Sequence, residues 1–73
     1  MLFFRGVREL EGIVFELEQF LKNNYKDQAH AQRKRLGERC EELFRQGKIK
    51  EKDYLRYHRL YLSYTERMKD YRH

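Results

Sequence analysis

The sequence predicts an all-α fold, an antiparallel three-helix bundle or a long helical hairpin with a third helix. Two observations carry that prediction. Apolar residues recur at spacings of three and four along most of the chain, and Glu, Lys, Arg and Leu are abundant while Pro is absent and Gly is rare. Length then sets the scale: 73 residues form one helical domain, 1–73, since so short a chain buries only about 60% of the surface its unfolded form exposes.

The first helix is expected over about 2–23. Phe3, Val7, Leu10, Val14, Leu17 and Leu21 share one stripe, widened by Ile13 and Phe20. Phe4 and Phe15 are eleven residues apart, three helical turns, and point off that stripe together. This helix therefore has more apolar surface than one neighbour covers. Gly12, inside it, costs about 1 kcal/mol against Ala and marks an expected close approach by another backbone.

Beyond Leu21 the heptad runs onto polar residues, and a new stripe of Ala29, Leu36, Cys40 and Leu43 begins, rotated by roughly 100°. We place a turn near Asn23 to Asp27, with Asn24 or Asp27 as the N-cap of a second helix over about 27–46. An unbroken rod that changes partners midway is the alternative. The second helix ends at "LFRQGKI", where Gly47 suits the left-handed position after a C-cap and Ile49 packs back towards Leu43. Glu51 and Asp53 follow in the first turn of a third helix over about 50–71, where negative charge suits the helix dipole.

Across this junction "LGERCEELFRQGKIKEKDYLRYHRL", residues 36–60, resembles the two-helix SHOCT (short C-terminal) module. The match uses Leu36, Leu43, Gly47, Ile49, Asp53 and Tyr54, and the chain has Lys50 where such modules have Ser or Thr. The resemblance implies an oligomerisation or interaction element and carries over no catalytic residue.

The third helix holds the most distinctive pattern. Tyr54, Tyr57, Tyr61, Tyr64, Met68 and Tyr71 form a heptad seam made almost wholly of tyrosine, beside a parallel stripe of Leu55 and Leu62 with His58 and Thr65 between them. Tyrosine suits a thin core, burying its ring and sending its hydroxyl to water. It also suits an interface, where Tyr and Arg are enriched. The candidate interface residues are Phe4, Phe15, Tyr54, Tyr57, Tyr61 and Tyr64.

Net charge is +5 and concentrates towards the carboxyl end: residues 1–25 sum to −1, 26–47 to +2 and 48–73 to +4. The candidate contacts to nucleic acid or an acidic protein are Arg33, Lys34, Arg35, Lys48, Lys50, Arg56 and Arg59. Acidic residues are interspersed with them, and no helix-turn-helix, RRM or KH signature is present.

Other chemistry finds little support. Cys40 is the lone cysteine, so no intrachain disulfide forms, and an unpaired thiol fits a reducing cytoplasm. Cys40, His30, His58 and His73 lack metal-ligand spacing, and no histidine has a carboxylate, Ser or Cys at a spacing that orients it for catalysis. Arg5, Arg8 and Glu9 interrupt the apolar amino terminus before a signal-peptide core, and no apolar run approaches the ~18 residues of a membrane span. The expectation is a cytoplasmic, non-enzymatic interaction protein without cofactor, metal, membrane or small-molecule substrate. Its expected partner is a second copy, as a homodimer, with another protein or nucleic acid as the alternative.

Overall fold

Three helices follow one another, α1 (Leu2–Lys22), α2 (Lys26–Arg45) and α3 (Glu51–Arg67). The computed structural model describes residues 2–71, with side chains from Phe4 onward, so the expected place of Phe3 in the stripe and the surroundings of His73 lie outside the described residues. The helices form an up-down-up bundle 39 × 18 × 14 Å across. α2 lies close to both neighbours, and α1 and α3 run parallel to each other.

The break after α1 excludes the unbroken rod. Asn24 takes a left-handed φ of 61°. Its N–H donates to the Leu21 carbonyl, and the Tyr25 N–H donates to the Phe20 carbonyl at 2.8 Å. These are the paired bonds of a Schellman ending, and the rings of Phe20 and Tyr25 supply its apolar contact at 6.4 Å. Asn24 therefore ends α1 rather than capping α2. Tyr25 holds the N-cap position without a side-chain cap, and Asp27 lies in the first turn.

The second ending repeats the first and was legible in advance. Gly47 has φ 72°, its N–H donates to the Phe44 carbonyl, and the Lys48 N–H donates to the Leu43 carbonyl at 2.8 Å. Ile49 is buried in the same core as Leu43. α3 ends at Arg67, short of the expected 71. Past Met68 the chain tightens, with the Tyr71 N–H donating to the Met68 carbonyl.

The core combines all three expected stripes: Leu10, Ile13 and Leu17 from α1, Ala29, Leu36, Cys40 and Leu43 from α2, and Tyr57 and Tyr64 from α3 with Met68 just past its end, while Ile49 closes the other end. Two glycines set the spacing. A Cβ on Gly6 would lie 2.6 Å from both Ile49 Cγ2 and the Lys48 carbonyl oxygen, and one on Gly37 would lie 2.7 Å from the Tyr61 ring. Gly12, expected to mark a close approach, faces open space. The contact belongs to Gly6, because α1 meets the α2–α3 turn at its amino end and its Gly12 side points away from the core.

Candidate interaction surface

Alternate tyrosines of the α3 seam turn to opposite sides. Tyr57 and Tyr64 bury their rings in the core, and their hydroxyls reach its α1 edge, where they donate to Glu11 and Glu18. Tyr71 adds a third rung, donating to Asn24 Oδ1 at 3.0 Å. The first two rungs have the same sequence separation, 46 residues, which fixes the register of α1 against α3. The guanidinium of Arg56 lies 5.1 Å from the Tyr57 ring centre and 3.5 Å from Glu11, and Arg67 repeats the arrangement over Tyr64 and beside Glu18.

Tyr54 and Tyr61 instead face α2. Tyr54 donates to Glu41, and Tyr61 lies against Gly37, with Arg33 6.0 Å from its ring centre. A ladder of rings runs along this side, with Phe44 stacked on Tyr54 at 4.4 Å, Tyr54 on His58 at 5.3 Å, and Tyr61 following. Phe44 was not singled out in the sequence, since it lies off the stripe of α2.

Burial and neighbouring carboxylates hold the phenols neutral. Desolvation, then the bond to Glu11, pushes Tyr57 far above the ordinary tyrosine value, and the same causes at Glu18 push Tyr64 up to about 12. Tyr54 is raised chiefly by its bond to Glu41. The Cys40 thiol is raised to about 11 by burial and donates to the Tyr54 carbonyl at 3.6 Å, which matches an inert packing role.

Of the six candidate interface residues, Tyr57 and Tyr64 are covered by the protein's own fold, so no second molecule reaches their rings. Tyr54 and Tyr61 are half-buried. Phe4 and Phe15 stay open, 61% and 65% exposed. Leu55 and Leu62, read as the conventional apolar stripe of α3, also face outward at 50% and 51%. The aromatic face takes the core because its rings, lying over α2, carry hydroxyls far enough to meet Glu11 and Glu18 on α1.

The candidate cations divide. Arg33, Lys34 and Arg35 fan around α2, with Arg33 donating to Thr65 Oγ1 at 3.3 Å, so they form no cluster. Lys48 and Lys50 at the turn are exposed, as are Lys52, Arg56 and Arg59 on α3. Arg56 and Arg59 line a shallow concavity with Leu60 and Ser63.

Arg39, missed in the sequence, ties α1 to α2. It grips Glu9 with two donors, one at 2.8 Å, and Glu42 with a third at 2.7 Å. The bond from Arg39 lowers the Glu9 carboxyl. Its only sequence signal was a charge beside the apolar stripe, which names no partner 30 residues away.

His30 and His58 have closer neighbours than their spacing suggests. His58 Nδ1 lies 4.0 Å from Glu41 across the hairpin, too far for a hydrogen bond. His30 Nε2 contacts the Tyr71 carbonyl oxygen. Among the described residues, no group of three or more His, Cys, Asp or Glu is placed to hold a metal ion, and no helix is long and apolar enough to cross a membrane.

No known protein family, curated protein or solved structure matches the chain.

Proposed function

We propose that this protein works by binding rather than by catalysis, and that its first partner is a second copy of itself in the cytoplasm. One observation carries the reading. Phe4 and Phe15 are each more than 60% exposed after the fold has closed around its own core. Two phenylalanines three turns apart on one helix side leave apolar surface that a small domain gains from covering. Need points the same way, because a lone core of this size seldom supplies more than about 3–5 kcal/mol. The likeness of residues 36–60 to the SHOCT module adds the expectation of an oligomerisation element, and the unpaired thiol of Cys40 suits a reducing compartment.

Size-exclusion chromatography with light scattering, at low and high salt, tests the reading. A salt-resistant mass that rises with loading concentration from 9.2 kDa towards twice that value is expected. A 9.2 kDa species at both salts and at every loading concentration up to about 1 mM would overturn it.

A second reading rests on the run of Lys48, Lys50 and Lys52 into Arg56 and Arg59, all exposed and continuous from the turn along α3. A phosphate backbone is the ligand such a strip fits. A mobility shift at about 50 mM salt that disappears at higher salt is its expected signature. No shift at low salt would remove it.

A further inference from the structure

The outer side of α1 reads Phe4, Arg8, Glu11, Phe15 at spacings of four, three and four, and all four residues are exposed. At 100° per residue they fall within about 60° of arc, so they present as one row. Arg8 lies 5.5 Å from the Phe4 ring centre. Glu11, although it accepts from Tyr57, keeps 53% of its side chain exposed.

The order apolar, positive, negative, apolar is complementary to itself when reversed. The midpoint between Phe4 and Phe15 and the midpoint between Arg8 and Glu11 both fall between Glu9 and Leu10. One two-fold axis crossing α1 there satisfies both pairs at once, as an isologous interface requires. We propose that two copies pair through α1 in antiparallel register, Phe4 of one against Phe15 of the other and Arg8 against Glu11. This rests on the self-association proposed above and assigns its surface and its register.

Other arrangements are poorer. Parallel pairing sets Arg8 against Arg8 and Glu11 against Glu11, which like charges oppose. A second exposed apolar pair on one helix, Leu55 and Leu62, has its midpoint between His58 and Arg59, so a two-fold axis there brings the two copies' Arg59 side chains together. That surface opposes its own copy where α1 attracts it.

Disulfide trapping tests the register. Phe4→Cys and Phe15→Cys chains are oxidised separately and as a mixture; native Cys40 is 0% exposed and stays out of the reaction. The mixture is expected to cross-link, whereas each variant alone is not, because like positions lie about 16 Å apart along the paired helices. Arg8→Glu is expected to weaken the dimer about fivefold to tenfold, and Arg8→Glu with Glu11→Arg to restore it. Circular dichroism of each variant confirms its fold. If either variant cross-links with itself, or if Leu55→Ser with Leu62→Ser abolishes a dimer that Phe4→Ser with Phe15→Ser leaves intact, the register is wrong although self-association holds. A monomer at every concentration overturns both.

Discussion

The Tyr57 hydroxyl donates a hydrogen bond to the Glu11 carboxylate across 46 residues of chain, and one heptad further on Tyr64 makes the same bond to Glu18. α1 and α3 are the two outer helices, each packed more closely on α2 than on the other. A phenylalanine ring would fill the gap but end short of the α1 edge. Tyrosine reaches it, and its polar tip ends on a carboxylate that is about half exposed, so burial of the ring leaves no orphaned polar atom.

Removing those hydroxyls has a measurable cost. Tyr57→Phe and Tyr64→Phe are each expected to lower unfolding stability by about 1 kcal/mol, since a bond to a charged acceptor is lost but water re-solvates the exposed carboxylate. Tyr54→Phe is expected to cost less than half as much, because its bond to Glu41 is at the surface. Urea unfolding of the three variants checks the order, and equal losses would contradict the division of the seam.

The glycines of α1 are expected to respond in opposite directions. Gly12→Ala meets open space and is expected to stabilise by about 1 kcal/mol through helix propensity alone. Gly6→Ala drives a Cβ into a backbone carbonyl and Ile49, and is expected to destabilise by about 1–3 kcal/mol. Thermal melts of the pair decide the matter: stabilisation at Gly6 would show that α1 does not meet the α2–α3 turn so closely.

Alkaline pH is expected to unfold the protein through its buried phenols. Tyr57 and Tyr64 have folded values above the ordinary 10.0, so below pH 10 folded and unfolded chains are both protonated and the contribution is fully present. Between 10 and about 12 the unfolded chain releases protons that the folded chain retains, and stability falls. Melting temperature is expected to stay level from about pH 7 to 9 and drop above 10, and Tyr57→Phe with Tyr64→Phe to flatten that drop. The Glu9 carboxyl acts at the other end: lowered from 4.5 by Arg39, it contributes above that value and is lost as pH falls.

Periodicity made most of the fold legible. The stripe Ala29, Leu36, Cys40, Leu43 is buried as expected, and the Gly47 ending follows from glycine's access to positive φ, which its φ of 72° bears out. Where two faces competed on one helix, periodicity gave no ranking. The Tyr and Leu55–Leu62 stripes of α3 both have helical spacing, and the reach from α3 to the carboxylates of α1, which tyrosine has and leucine lacks, separates them. Gly12 and Gly6 look alike in sequence, and only the position of the α2–α3 turn separates them. Asn24 and Asp27 both suit an N-cap in sequence because short polar side chains serve either helix end, and the left-handed φ of Asn24 assigns it to the end of α1. For the interaction surface, the eleven-residue spacing of Phe4 and Phe15 marked them as lying off the core stripe, and both side chains stay exposed.

The proposed meeting of two copies on the Phe4–Phe15 side of α1 can be measured directly. A dilution series of nitrogen-labelled protein by NMR, from about 1 mM to about 20 µM, covers the affinities that small interfaces reach. Concentration-dependent shifts are expected at Phe4, Arg8, Glu11 and Phe15, with residues facing α2 unmoved. Spectra that do not change with dilution, or changes confined to Leu55 and Leu62, would contradict it.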